Sequence, residues 1–143
     1  MTERFVKHAT FVVERTYAAS IENVYQAWAD PVAKAKWFSK ADSFEFCVGG
    51  REFSKGGPPG GPIFTFEACY QEIVPEQRIV YSYTLDSNDT RLSVSIATIE
   101  LIPVENGTKL VCTEQGTFFD GHDTPEIREH GTKELLEALG KSL

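Results

Sequence analysis

Only one stretch of this sequence is built to form a long helix, and it comes last, after an extended run of strand-like segments. Thr124-Pro125-Glu126 supplies an N-cap, a proline at the first helical position and an early acid. Ile127, Gly131, Leu135 and Ala138 then recur at helical spacing, with Leu136 and Leu139 beside them. This spacing predicts a helix from Pro125 to about Lys141. Gly131 in its middle costs about 1 kcal/mol against Ala, tolerable where a backbone or a ligand comes close.

Everything before that helix must form its partner. Ala9 to Tyr17 is rich in β-branched and aromatic residues and reads as a first strand. Ser20 caps a short amphipathic helix to Ala29, on which Ile21, Val24, Tyr25 and Trp28 share a face, and Asp30-Pro31 starts a second one. Strand character follows at Phe44–Val48, turned by Gly49-Gly50 into Arg51–Ser54. Lys55 to Pro62 reads as a loop, since neither Pro nor Gly holds a central ladder, and Gly56 to Gly61 are expected to be mobile. Ile63–Val74 places Phe64, Phe66, Ala68 and Tyr70 on one face, and the next strand does the same with Ile79, Tyr81, Tyr83 and Leu85. Leu92, Val94 and Ile96 alternate, but the apolar phase then slips to Ile99 and Leu101, which predicts a bulge near Ala97-Thr98. Asn106-Gly107 turns the chain into a last strand from Lys109 to Phe119. Helices segregated from a meander of strands make an α+β architecture in a single domain spanning 1–143: a curved antiparallel sheet of six or seven strands wrapped around the long C-terminal helix, with two short helices after strand one.

The charge balance excludes several functions. Fourteen basic residues stand against 21 acidic ones, for a net charge of -7. Nucleic-acid and anionic membrane surfaces both call for the opposite sign, so neither is an expected partner. No apolar run approaches the ~20 residues of a membrane span. Residues 1–8 carry no apolar core for a secretory signal, and the expected location is cytoplasmic. The three cysteines, Cys47, Cys69 and Cys112, are widely spaced and include no CxxC pair. They predict neither a disulfide framework nor a zinc site.

Several catalytic signatures are missing. The glycine-rich run at 56–61 is followed by no GK[ST] and no helix start, so it is no phosphate loop. There is no GxSxG, HExxH or GxGxxG. His8, His122 and His130 have no ligand spacing and read as solvent-facing or capping residues, so neither a metal nor a cofactor is expected. Glu45, Glu67, Glu72 and Glu114 fall in strands, where charges usually mark the solvent face. No residue is assigned as catalytic. Glu45, Tyr81, Tyr83 and Glu114 are the polar side chains best placed to reach an interior, and they are expected to be exposed or satisfied singly by backbone donors.

The run from Glu14 to Trp28, followed by Asp30-Pro31 and Lys36-Trp37-Phe38, resembles the opening of the family of homologues of the activator of heat-shock-protein-ninety ATPase. Val48–Phe53 is similar to that family's glycine hairpin, Tyr70–Tyr81 to its central strand pair and Gly107–Leu110 to its last hairpin. His130-Gly131 matches a family pair in the long helix, with Thr132 where an aromatic usually follows. The resemblance implies the START-like, pollen-allergen-like helix-grip fold and a deep apolar cavity between sheet and helix. It does not imply one activity, because members include lipid carriers, cyclases, receptors and co-chaperones. Thr132 implies a pocket of different shape.

Three functions follow as expectations. The first is binding of a small hydrophobic molecule, with Phe46, Phe53, Phe64, Phe66, Tyr81, Tyr83 and Phe118 on the inner face, Trp37 and Phe38 at the mouth, and Gly131 and Leu135 on the helix. Its competitor is a solid core filled by the same rings. The second is a co-chaperone-type, stress-response activator acting on a heat-shock ATPase through its surface. It is less favoured, since no distinct surface patch is visible and the co-chaperone's extra N-terminal domain is missing from the sequence. The third is a cyclase- or lyase-type enzyme using the cavity. A homodimer is left open.

Overall fold

The computed structural model describes residues 3–143. β1 (Val6–Tyr17) leads into α1 (Ile21–Ala29) and α2 (Pro31–Lys34), then β2 (Ser43–Phe44), β3 (Arg51–Gly56), β4 (Phe64–Val74), β5 (Arg78–Ser87), β6 (Thr90–Val104), β7 (Gly107–Phe119) and α3 (Pro125–Ser142). The strands form one seven-stranded sheet in the order β1-β7-β6-β5-β4-β3-β2, with every pairing antiparallel. Only the β1–β7 pairing is not a simple hairpin. It brings the first strand beside the last and leaves α1 and α2 as an insertion across one end.

The helix starts follow from side-chain capping. Ser20 accepts from the Asn23 N–H, Asp30 from the Ala33 N–H at 2.9 Å, and Thr124 from the Ile127 N–H at 3.1 Å. α3 turns Leu136 and Leu139 into a core that also holds Phe11, Val13, Tyr17, Trp28, Ile99 and Leu110. The Tyr17 hydroxyl donates to the Leu136 carbonyl at 2.7 Å, which fixes edge strand β1 to the helix. Gly140 allows that approach, since a Cβ there would lie 2.9 Å from the Tyr17 ring.

Several sequence expectations need correction. Phe44–Val48 is not a strand: β2 ends at Phe44, and Cys47 and Gly50 close tight turns onto Glu45 and Cys47. β3 continues through Lys55 to Gly56, which pairs with Phe64, so the loop is shorter than its composition suggests. The bulge in β6 is not at Ala97-Thr98. Leu85 pairs with Ser93 and Asp86 with Arg91, so Leu92 is the extra residue. Past it, Ser93, Ser95, Ala97, Ile99 and Leu101 face inward, while Val94 and Ile96 lie on the outer face, 40% and 44% exposed. The one-residue insertion therefore puts small side chains on the inner wall where branched ones were expected. On α3, Ile127 is 56% exposed, and the inward stripe runs through Thr132, Leu136 and Leu139.

Candidate functional site

A cavity of about 350 Å³ lies between the sheet and α3, walled by Trp28, Phe66, Tyr81, Tyr83, Leu85, Cys112, Leu135 and Leu136. Phe38 and Ser39, just after α2, form its rim with Gly56, Gly57 and Phe64. The glycines thus sit where β3 and β4 meet the opening, and a Cβ on Gly56 would approach the Ser39 hydroxyl at 3.2 Å.

Inside this apolar wall sits a polar cluster. Glu114, on the inward face of β7, is 4% exposed, and its neighbour across the sheet, Tyr83, is 7% exposed. The Tyr83 hydroxyl donates a short hydrogen bond to Glu114 Oε1, and the Thr132 hydroxyl donates to Glu114 Oε2 at 2.9 Å. Burial pushes the Glu114 carboxyl above its ordinary range, opposed by the two hydroxyl donors and by the Arg128 guanidinium. Burial and the adjacent carboxylate push the Tyr83 hydroxyl well above its ordinary value, so Tyr83 stays a neutral donor. Arg128 reaches the same cavity and is held by buried Asp123, 3.2 Å from its Nε. Trp28, also in the wall, has a buried indole N–H with no acceptor.

The expectation that no two of the polar candidates would meet is thereby overturned for Tyr83 and Glu114. Alternation on β5 and β7 sends both side chains into one interior. Tyr81 lines the cavity beside them, with its ring 5.9 Å from that of Tyr83. Glu45 is exposed in the turn after β2, and Glu67 and Glu72 pair with Arg51 and Arg78 on the outer face.

Of the residues expected around a ligand, Phe38, Phe64, Phe66, Tyr81, Tyr83 and Leu135 border the cavity. The others do not. Trp37 is buried against Trp28 and donates its indole N–H to the Ala27 carbonyl at 2.8 Å. Phe46 packs edge-on against Tyr70, away from the opening. Phe53 points to the outer face of β3, under the Lys55 ammonium. Phe118 is buried but folds over Gly116, where a Cβ would meet its ring at 2.9 Å. Gly131 lies on the flank of α3, where a Cβ would meet the Arg128 guanidinium at 3.3 Å rather than the sheet. Thr132, Arg128 and Trp28 were missed as site residues. The signal for Thr132 was visible, since it is the position at which the chain departs from the resembled family.

A curved antiparallel sheet closed by one long C-terminal helix, with a cavity between them, defines the helix-grip class. Residues 18–143 match the model of the family described as Activator of Hsp90 ATPase homolog 1-like protein, and the chain belongs to that family. Among solved structures, it is 45% identical to protein Mll3558 from Rhizobium loti, with a TM-score of 0.92 over 97% of this chain and 99% of that one. It is 35% identical to a protein from Rhizobium leguminosarum, with a TM-score of 0.91 over 99% and 97% of the two chains. Protein CV1439 from Chromobacterium violaceum is 31% identical, with a TM-score of 0.79 over 92% and 94%. No curated protein matches the chain. Among the described residues, no helix is long and apolar enough to cross a membrane.

Proposed function

We propose that the cavity binds a small, mostly apolar molecule carrying a carbonyl or hydroxyl oxygen. The observation that carries this reading is the Tyr83–Glu114–Thr132 cluster, buried inside an apolar cavity of about 350 Å³. Ligand sites are built in this way: apolar walls supply affinity and a few converging polar groups fix orientation. The unpartnered indole N–H of Trp28 is a donor suited to an acceptor oxygen on the ligand. Native mass spectrometry of gently purified protein tests the reading, with an adduct of a small molecule as the expected result. Bare protein, together with failure of an apolar fluorescent probe to bind, counts against it and favours a solid core.

A second reading has its own support in the Tyr83–Glu114 contact. A carboxyl whose affinity for a proton is raised by an apolar wall is suited to exchange protons with a bound carbonyl compound, with Tyr83 as a fixed neutral donor. In this reading the protein is an acid/base enzyme of the cyclase or lyase type. The test is solvent deuterium incorporation into the co-purified molecule in D2O. Incorporation by wild type that is lost in Glu114→Gln supports catalysis, and equal incorporation by both removes it. The co-chaperone reading rests on the family description alone.

A further inference from the structure

A second polar cluster, formed by residues of α2, β3 and β4, does not line the cavity just described. Lys34, on α2, and Glu52, on β3, are 4% and 0% exposed. Lys34 Nζ stands 2.6 Å from Glu52 Oε1, and the Tyr70 hydroxyl donates to the same oxygen at 2.6 Å. The ammonium is surrounded by the rings of Trp28, Trp37, Phe38, Phe44 and Tyr70, with centroids 5.0–6.0 Å away. One carboxylate oxygen is therefore heavily used. The other, Oε2, is buried and has no hydrogen-bond partner. A buried carboxylate oxygen without a donor is costly, and it is found where something else supplies one.

A cleft adjoins the pair. Lys34 and Glu52 line a cleft of about 390 Å³ whose other walls are mostly apolar, with Pro31, Val32, Ala35 and Phe44 among them. We propose that this cleft is a second binding site, for a small neutral molecule with an apolar body and one O–H or N–H donor directed at Glu52 Oε2. The donor must be neutral. Lys34 already balances the Glu52 charge, and with Lys40 also in the wall a cationic ligand meets like charge. An anion offers Glu52 Oε2 an acceptor instead of a donor and sets two negatively charged oxygens against each other. Neither Lys34 nor Glu52 lines the Glu114 cavity, although Ser39 borders both spaces and the Trp28 and Phe38 rings lie between the two clusters.

The test uses the full chain, uniformly labelled with nitrogen-15, titrated with benzyl alcohol and separately with toluene, which has the ring and lacks the donor. Benzyl alcohol is expected to shift amide resonances in residues 31–44 and at Glu52, saturably, with toluene binding the same place about tenfold more weakly. Val32→Trp, at a position 71% exposed, fills the cleft without touching the core and should abolish those shifts while leaving the rest of the spectrum in place. Three results overturn the proposal: benzyl alcohol shifts confined to Tyr83, Glu114 and Thr132, equal affinity for the two probes, or a Val32→Trp protein that responds as wild type does.

Discussion

Glu114 carries a burden that its position does not fully relieve. Burial holds its folded-state value above the ordinary 4.5, so the folded protein binds that proton more tightly than the unfolded chain does. Stability then falls as pH rises from about 4.5 through the raised folded value, and above it the whole cost is present. Glu114→Gln keeps the shape and accepts from Tyr83, so it should raise Tm at pH 8 by a few degrees and flatten the pH dependence between pH 5 and 8. Thermal unfolding followed by circular dichroism across that range checks this, and a Tm lower than wild type at pH 8 contradicts it. Lys34 works through its pair. Desolvation lowers its affinity for a proton, and the nearby Glu52 partly restores it. Lys34→Met strands the Glu52 charge in the interior and should cost about 3–5 kcal/mol in urea unfolding. Lys34→Met combined with Glu52→Met should recover most of that loss, and a double variant as unstable as the single one argues that the pair contributes net stability. Neither cluster was legible from residue type alone. Lys34 and Glu52 look like ordinary surface charges, and nothing local in the sequence says that one short helix lays them against each other.

The elements divide by how their ends and faces are specified. Helix starts were legible, because Ser20, Asp30 and Thr124 act on an N–H three residues away and need no tertiary information. Strand faces were legible where alternation is unbroken, as in β5. They were misread in β6, because the extra residue Leu92 shifts the phase at a position where both faces carry apolar side chains. The face of α3 was misjudged in a similar way, since Gly131 and Thr132 both suit a close approach and only packing selects Thr132. This choice has a measurable consequence. Gly131→Trp should leave binding of an apolar fluorescent probe within about twofold of wild type, because a side chain there meets the Arg128 guanidinium on the helix flank rather than the apolar wall of the sheet. Thr132→Val removes a donor from Glu114 while preserving shape. It should cost about 1–2 kcal/mol in the same unfolding assay, and no loss would mean that the Thr132 hydroxyl is dispensable.

At the scale of the molecule, the order of strands and helices was enough to set the architecture. A meander of strands followed by one amphipathic helix has few ways to bury both faces, and the family match and the neighbouring structures bear that architecture out. Whether the interior holds a cavity was not legible, because aromatic rings on inward positions fill space or line it depending on their rotamers and on the small residues opposite. Here the rings leave a space of about 350 Å³ between the sheet and α3, bordered also by the small residues Ser39, Ser54, Gly56 and Gly57. That open space is the central claim. It is tested most directly by titrating an apolar fluorescent probe into wild type and into Leu135→Trp, whose indole would fill the cavity from the helix side at an overpacking cost of about 1–3 kcal/mol. Saturable binding of one probe per chain by wild type, reduced at least tenfold in a folded Leu135→Trp protein, is the result this account predicts. Equal binding by both proteins, or none by wild type, contradicts it.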